Sequence, residues 1–418
     1  MSLLLQQVVL DGRQVDILIV DGLIKKIAPE LNDVVADQVL AGAGKAVVPG
    51  LYNGHSHAAM TLFRGYGDDM ELMEWLTTKI WPLEEKLTEE LVYHGARLAC
   101  LEMIKSGTVF FNDMYWHFAA TARAVEEMGI RAALSGVIID LNDPVRLKEQ
   151  IAVNRERFQI SAGFSSRLKF VLGPHAIYTV SKAGLEWVRD FAAENDLLIH
   201  THLSETEQEV KDCLNNHGLR PVEYLAELGL LSDKLVAAHA VWLDGKEMKL
   251  LEKHQVKVIN NPVSNMKLAV GKTFSYRHFV EHGVPVGLGT DGCGSNNNLD
   301  MFETMKFSAL LQKFAISDPT VQTADEVWRM ATADGAGIFG LNGGVIAEGR
   351  DADLLLIDCD RPEMAPGHNL ISDLVYSASG AVVDTTIVAG KVLMQGRKVE
   401  GEAEIIAAAR AAARQLMQ

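Results

Sequence analysis

Short apolar runs alternate with amphipathic segments through the middle of the chain, between about residues 47 and 343. The apolar runs lie at 169–172, 197–200, 235–238, 256–259 and 284–289. Segments 182–194 and 206–216 carry apolar residues at helical spacing, and Ser181 can cap the first of them. A repeated strand-then-helix order is typical of a parallel sheet. Eight such units need roughly 250 residues, which this region supplies.

Both ends of the chain show a different pattern, that of antiparallel strands. Near the start, Asp21 and Gly22 separate two β-rich segments, which is a strong signal for a two-residue hairpin. Near the end, β-rich segments recur at 353–358, 384–388 and 391–394. The two ends therefore predict sheet structure that encloses the strand-helix region.

We predict an α/β fold with a (β/α)8 TIM-like barrel over residues 50–344. A composite β-sandwich domain is predicted from residues 1–49 and 345–418. An open, doubly wound sheet is the alternative, but no GxGxxG motif follows a strand in this chain. Residues 402–417 are rich in alanine and predict a final helix at an exposed edge.

Composition narrows the classes of partner. Hydrophobic residues make up 48% of the 418 residues and charged residues 22%, as in a packed globular protein. The net charge of −16 argues against nucleic acid as a partner and suits a small neutral or cationic ligand. No apolar run approaches the ~18 residues of a membrane span, so we expect no membrane partner and a cytoplasmic location. The four cysteines form no CxxC pair, so neither a disulfide framework nor a cysteine zinc site is predicted.

Several apolar runs end in residues that can bind a metal ion. These residues are His55 and His57, His200, His202 and Glu205, His239, and Asp291. Barrel enzymes build their active sites where the strands end, so these side chains are expected to meet. Imidazoles with one carboxylate and an open position suit a catalytic Zn²⁺ or Fe²⁺. Spacing alone does not choose between His200 and His202, because both lie on one face of a strand.

One metal ion is expected rather than two. The apolar run that begins at residue 169 closes with Pro174 and His175, so it offers no lysine to bridge a second metal ion. Zn²⁺ is the first choice and Fe²⁺ the second, because both fit this donor set.

Three segments and one further residue together resemble the amidohydrolase superfamily: residues 49–57, 202–205 and 289–301, and His239 at the end of its apolar run. Within it they are most similar to the 5′-methylthioadenosine/S-adenosylhomocysteine deaminases and related nucleoside deaminases. The resemblance covers nearly the whole chain, including residues 351–354. It implies a metal-dependent hydrolase barrel that converts adenosine-type nucleosides to inosine analogues and ammonia.

The resemblance also implies a ligand set. His55, His57, His202 and Asp291 match the family's metal ligands, and His202 is preferred over His200 because the family glutamate follows the ligand by three residues. One divalent metal ion per subunit is therefore expected.

Catalytic roles follow from the same match. Glu205 would carry a proton from the attacking water to a ring nitrogen. His239 would hold or polarise the attacking hydroxide, and Asp291 would help to pass a second proton to the departing ammonia.

Three further residues match the family's substrate pocket. Glu84 would accept hydrogen bonds from the ribose hydroxyls, although a solvated helix-face glutamate is the simpler interpretation without the resemblance. Trp75 would stack on the purine or wall the 5′ group, although a tryptophan at helical spacing is ordinarily a core residue. His175 would contact the nucleoside.

The chain departs from the family at Gly136, where members that act on S-adenosylhomocysteine carry an arginine. Loss of that cation predicts a preference for uncharged 5′ groups, as in methylthioadenosine, adenosine and 5′-deoxyadenosine. Arg146 or Arg155 could supply a replacement cation from a nearby loop.

Two alternatives stay open. The same site could deaminate or hydrolyse another amino-substituted ring, such as guanine, a pterin or a triazine. A catalytically inactive metal-binding scaffold is the alternative from another class, but it predicts a missing ligand or proton carrier, and Glu205 and His239 are both present. A small-molecule nucleoside is the expected partner, and a homo-oligomer is compatible with exposed barrel helices.

Overall fold

The computed structural model describes residues 1–418 and contains sixteen strands in two sheets. In chain order the strands are β1 (Ser2–Leu10), β2 (Arg13–Val20), β3 (Leu23–Ala28), β4 (Gln38–Ala41), β5 (Lys45–Pro49), β6 (Leu51–Ser56), β7 (Thr108–Asp113), β8 (Arg131–Ile138), β9 (Leu168–Pro174), β10 (Ile199–Leu203), β11 (Leu235–His239), β12 (Lys257–Asn260), β13 (Val286–Leu288), β14 (Leu354–Asp358), β15 (Val383–Val388) and β16 (Lys391–Met394). Strands β6 to β13 form one sheet, and the strands of the two chain ends form the other.

The middle sheet is a parallel barrel. Its eight strands follow one another in chain order, and each pairs in parallel with the next. Just past β13, the backbone N–H of Asp291 donates to the carbonyl of His55 on β6 at 3.0 Å, which brings the last strand against the first. The predicted eight-stranded barrel is confirmed. Its strands are buried almost throughout, as expected for a parallel sheet with both faces covered.

The second sheet has the order β16-β15-β14-β5-β1-β2-β3, with β4 paired to β1. The predicted hairpin joins β2 to β3, with Asp21 and Gly22 both at positive φ, 49° and 82°. Two residues with left-handed backbone are what a type I′ turn requires. Both chain ends therefore contribute to one sheet, as predicted, while the domain boundaries at residues 50 and 345 stay a prediction.

Sixteen α-helices connect and cover the strands. They are α1 (Leu72–Trp75), α2 (Trp81–Glu84), α3 (Glu89–Lys105), α4 (Phe118–Met128), α5 (Pro144–Ser161), α6 (Lys182–Asn195), α7 (Glu207–His217), α8 (Pro221–Glu227), α9 (Gly245–Lys253), α10 (Pro262–Lys267), α11 (Tyr276–Glu281), α12 (Met301–Ile316), α13 (Ala324–Ala331), α14 (Ala333–Ile338), α15 (Leu370–Tyr376) and α16 (Glu402–Leu416). Ser181 caps α6 as predicted, because its hydroxyl accepts the N–H of Gly184 at 3.1 Å. None of these helices combines the length and the apolar composition that a membrane-spanning helix requires.

The final helix differs from the prediction. Instead of lying at an exposed edge, α16 packs along α3 on the side of the barrel. Its buried side chains are Ile405, Ala409, Ala412 and Leu416, which recur at spacings of three and four residues. The stripe is hard to recognise in the sequence, because two of its four residues are alanines in a segment where alanine also occupies exposed positions.

Candidate active site

Candidate metal-binding side chains from four strands meet at the carboxyl end of the barrel. His55 lies on β6 and His57 one residue beyond it, His202 lies on β10, His239 ends β11, and Asp291 follows β13. One ring nitrogen from each of His55, His202 and His239 lies within 4.8 Å of the others, and the same holds for His55, His57 and a carboxylate oxygen of Asp291. The structure therefore brings together all the residues that the family resemblance assigned to the metal site.

Backbone carbonyls fix the orientation of two of these rings. The Nδ1 of His57 lies 2.6 Å from the carbonyl oxygen of Met114, and the Nδ1 of His202 lies 2.8 Å from that of His175. Because a carbonyl only accepts, each Nδ1 carries a hydrogen and each Nε2 is left to bind a proton or a metal ion. The two Nε2 atoms face each other at 3.4 Å. Two lone pairs at this distance need a cation between or beside them.

His55 is oriented by a second histidine. Its Nδ1 lies 2.8 Å from Nε2 of His200, whose own Nδ1 donates to the carbonyl of Val236 at 3.0 Å. His200 therefore accepts the hydrogen of His55 and leaves Nε2 of His55 buried with no hydrogen-bond partner. Thus His202 faces the cluster, while His200 lies behind His55. This arrangement is typical of a ring that orients a metal ligand.

Asp291 completes the cluster with a carboxylate. One oxygen, Oδ1, lies 3.3 Å from Nε2 of His55 and 3.2 Å from Nε2 of His57. The other, Oδ2, accepts hydrogen bonds from Ser264 at 2.6 Å and Ser295 at 2.9 Å. Although burial opposes ionisation, the contacts with both histidines hold the pKa of Asp291 well below its usual value. The carboxylate is thus charged and fixed in place.

The electrostatics of the cluster favour a bound cation. Burial lowers the pKa of His55 to about 4. Burial also disfavours the charged form of His57, but Asp291 outweighs it and raises the pKa of His57 to about 9. The pocket between these rings and Asp291 therefore holds a positive charge, either a proton or a metal ion. Three imidazole nitrogens and a carboxylate oxygen are a donor set that fits Zn²⁺ and other first-row divalent ions.

Glu205 and His239 lie beside this cluster. Oε1 of Glu205 is 3.8 Å from Nδ1 of His239, which also lies 2.8 Å from Oδ1 of Asn265. The amide oxygen accepts the Nδ1 hydrogen, so Nε2 of His239 is an acceptor that faces the cluster. Burial raises the pKa of Glu205, while His239 partly opposes the shift. A carboxyl with a raised pKa is suited to take up and release a proton during a reaction.

A cavity of about 760 Å³, including its open mouth, leads to the cluster. Most of its lining is apolar, with tryptophans at positions 75, 81 and 116. Its size and lining are those of a site for a small organic molecule. No lysine or arginine lines it, while Glu84, His175 and Glu205 provide polar groups.

The three predicted substrate contacts all line this cavity. Glu84 ends α2 and is half-buried, and burial raises its pKa while Trp116 and Tyr115 partly oppose the shift. The ring centroid of His175 lies 4.7 Å from that of His202, and burial lowers the pKa of His175 to about 3, so the ring is neutral. Trp75 is 5% exposed and belongs at once to the cavity wall and to the adjacent core cluster.

The interpretation of Gly136 was wrong. A Cβ at this position would lie 2.0 Å from Oδ1 of Asn154 on α5, so the position faces the surrounding helices and not the cavity. The residues of β8 and its end that line the cavity are Val137 and Ile139.

The two arginines proposed as replacements do not line the cavity either. Arg146 lies 3.8 Å from Asp143 at the start of α5, and the guanidinium of Arg155 lies 6.0 Å from the ring centroid of Phe191. The cavity therefore has no lysine or arginine in its lining, but for a reason other than the glycine.

Four residues that support the cluster were missed in the sequence: Ser264, Asn265 and Ser295, and Glu209 behind Glu205. Ser264 and Asn265 follow β12. The rule that functional residues follow strand ends could have identified both, because the apolar run 256–259 was recognised. Ser295 lies within the segment that carries the resemblance.

Comparisons with known proteins agree with this geometry. The sequence profile of the Amidohydrolase family matches residues 46–393. A 5′-deoxyadenosine deaminase of Methanoregula boonei is 50% identical over 384 residues, which cover 92% of this chain and 87% of that protein. A 5-methylthioadenosine/S-adenosylhomocysteine deaminase of Archaeoglobus fulgidus is 50% identical over 390 residues, 91% of this chain and 90% of that protein.

A solved structure of a related deaminase has the same fold. The crystal structure of an adenosine deaminase from Xanthomonas campestris with bound zinc matches with a TM-score of 0.94 and 32% identity, over 99% of this chain and 98% of that chain. The chain belongs to the Amidohydrolase family.

Proposed function

We propose that this protein is a metal-dependent hydrolytic deaminase of adenosine-type nucleosides, which releases ammonia and the inosine analogue. The observation that carries the proposal is the cluster of inward-facing Nε2 atoms and Asp291 next to Glu205, at the base of a cavity of about 760 Å³. Support also comes from the two relatives at 50% identity, which are named as deaminases of 5′-deoxyadenosine and of methylthioadenosine and S-adenosylhomocysteine.

One divalent metal ion would be held by His55, His57, His202 and Asp291. Zn²⁺ is favoured by the zinc in the adenosine deaminase of similar fold, and Fe²⁺ suits the same donors. When bound, such an ion acts as a Lewis acid that lowers the pKa of water and so supplies a nucleophile at neutral pH. Elemental analysis of the purified protein tests both the metal and the stoichiometry of one per chain.

The protein's own groups would handle the protons of the reaction. Glu205 takes a proton from the attacking water and gives it to the ring nitrogen beside C6 of the purine, so that the ring can accept the new C–O bond. His239, held by Asn265 with Nε2 as an acceptor, orients the attacking oxygen. Asp291 then helps to return a proton to the exocyclic nitrogen, the C–N bond breaks, and ammonia departs.

The cavity walls would bind the nucleoside. Glu84 accepts hydrogen bonds from the two ribose hydroxyls, for which a carboxylate with two oxygens is well shaped. The neutral ring of His175 contacts the nucleoside, and Trp75 covers the purine or the 5′ group with an apolar face. Water is largely excluded by the apolar lining, which strengthens each of these polar contacts.

Uncharged 5′ groups are preferred in this proposal, because no lysine or arginine lines the cavity. The carboxylate of S-adenosylhomocysteine would lack a charge-assisted hydrogen bond, which contributes roughly 1.5–3 kcal/mol. We expect kcat/KM for S-adenosylhomocysteine to be at least about tenfold below that for 5′-deoxyadenosine or methylthioadenosine. Equal values for the three substrates would contradict this preference.

The deaminase proposal is tested by ammonia release from a panel of adenosine-type nucleosides, with Glu205→Gln as the inactive control. The proposal is supported if the unsubstituted protein releases ammonia from these nucleosides and Glu205→Gln does not. If guanine, a pterin or a triazine reacts instead, the reaction class stands and the substrate assignment fails. If none reacts with the zinc-loaded protein, the inactive scaffold becomes the better account.

A further inference from the structure

Glu209 is a buried carboxylate that binds the backbone next to the proposed proton carrier. It lies in the first turn of α7 and is 5% exposed. Its Oε1 accepts the N–H of Ser204 at 2.7 Å, and its Oε2 accepts the N–H of Glu205 at 2.8 Å. Both oxygens are thus used on the short turn that leads from β10 to Glu205.

Other glutamates of this chain occupy the same helical position and make a different contact. Glu223, Glu247 and Glu326 are each the third residue of a helix, and each accepts the N–H of the helix's own cap residue, at 3.1, 3.0 and 2.7 Å. This contact is half of the usual capping box. Glu209 is also the third residue of its helix, but it reaches past the cap residue Thr206 to the two preceding residues. Its contact therefore serves the turn rather than the helix.

The turn needs such a restraint. Ser204 has a φ of 51°, in the left-handed region that a serine adopts only at a cost. Glu209 forms no salt bridge with a lysine or arginine, and burial raises its pKa to about 7, while the two backbone hydrogen bonds partly oppose this shift. Burying a carboxylate without a cation costs free energy. A buried carboxylate that lowers stability in this way is expected to have a functional role.

We propose that Glu209 is a positioning residue for Glu205, holding the turn so that the Glu205 carboxylate stays beside His239. The inference rests on the proposed function, because the proton transfer by Glu205 is part of it. Oε1 of Glu205 lies 3.8 Å from Nδ1 of His239, a separation that the backbone at Glu205 must maintain. Displacement of a reacting group by about 1 Å can cost about 10²-fold in rate.

The test compares Glu209→Gln with Glu247→Gln. The amide keeps the size of the side chain but can accept only one of the two N–H groups, and its own N–H₂ would face the other. Glu247 is the control, because it is also buried and also accepts two backbone N–H groups, from Val222 and Asp244, on a helix outside the site. Unlike Glu209 it also accepts a hydrogen bond from Nε of Arg220 at 2.7 Å, so its substitution should cost at least as much stability. Both variants are measured at a temperature at which melting curves show that they are folded.

For Glu209→Gln we expect kcat to fall by about 10- to 100-fold, with KM within about twofold and the metal content unchanged. For Glu247→Gln we expect a lower melting temperature and an unchanged kcat. A kcat that falls equally in both variants, or in neither, would overturn the proposal.

Amide hydrogen exchange gives a readout that does not depend on turnover. At least one of the Ser204 and Glu205 amides should exchange faster in Glu209→Gln than in Glu247→Gln, because only the first variant replaces one of their two acceptor oxygens by an N–H₂ group. Unchanged exchange at both amides would overturn the positioning role. An unsubstituted protein without deaminase activity would contradict the proposed function instead, and exchange would still decide whether Glu209 holds the turn.

Discussion

Two buried aspartates at opposite ends of the barrel have different kinds of charge partner. Asp353, which precedes β14, accepts Nε of Arg131 at 2.8 Å and the N–H of Ala389 at 2.7 Å. Arg131 begins β8, so this pair joins the amino end of the barrel to the terminal sheet. Asp291, at the carboxyl end, contacts only hydroxyls, a backbone N–H and two imidazoles.

The difference separates a structural end from a reactive end. At the amino end the protein supplies its own permanent cation, and the charge of Asp353 is balanced within the fold. At the carboxyl end Asp291 and the inward-facing imidazoles have no lysine or arginine beside them and form a candidate metal site. In barrel enzymes the carboxyl end is the one that carries chemistry, and the amino end contributes stability. Substitutions at the two ends should therefore have separable effects.

The largest effect is expected for Glu205→Gln at the reactive end. The amide preserves shape but cannot carry a proton, so kcat should fall by about 10²–10⁴-fold. Metal content and melting temperature should stay those of the unsubstituted protein, as measured by elemental analysis and calorimetry. An intact kcat would remove Glu205 from the mechanism.

Arg131→Met should give the opposite result at the structural end. Breaking a buried ion pair leaves Asp353 uncompensated and costs about 3–5 kcal/mol of unfolding free energy. The folded fraction should keep its metal content and its kcat. Urea denaturation followed by circular dichroism measures the loss. A variant of unchanged stability would show that the pair is not what holds the two sheets together.

Removal of the metal ion should lower the stability of the protein, and this loss should depend on residues at the carboxyl end of the barrel only. A ligand at 100 times its dissociation constant stabilises the folded state by about 2.7 kcal/mol, so a chelator should lower the melting temperature and zinc should restore it. The zinc-dependent shift should persist in Arg131→Met and vanish in Asp291→Asn. Its persistence in Asp291→Asn would reassign the ligand set.

The smallest effect is expected for His200→Gln, behind the ligand His55. Loss of a residue that orients a metal ligand typically weakens metal binding by about 10–100-fold. Competition with a fluorescent zinc chelator measures the affinity, and the exposed His278→Gln is the control. Equal affinities in the two variants would mean that His200 does not orient the ligand.

The barrel, the hairpin and the convergence of polar residues were predictable because they depend on local patterns. Apolar runs of strand length, the Asp21-Gly22 turn and residues that follow strand ends are each visible within about ten residues of sequence. The choice between His200 and His202 was not visible in the spacing, since both face inward on β10. Their depth along the strand decides which one reaches the cluster, and only the packed barrel defines that depth.

The error at Gly136 has a related cause. Strand β8 is buried along its whole length, so it has no alternation of polar and apolar residues to show which residues face the cavity. Glu209 was missed for another reason. The sequence Thr206-x-x-Glu209 already has a local interpretation as a capping box, and only the structure shows the carboxylate reaching Glu205 instead.

The most direct test follows the absorbance of the adenine ring and the release of ammonia together, when zinc-loaded or chelator-treated protein is added to 5′-deoxyadenosine. The account predicts that absorbance falls and ammonia appears in equal amounts with the zinc-loaded protein, and that chelator treatment stops both until zinc is restored. An unchanged spectrum with fully zinc-loaded, folded protein would contradict the claim that this site deaminates adenosine-type nucleosides.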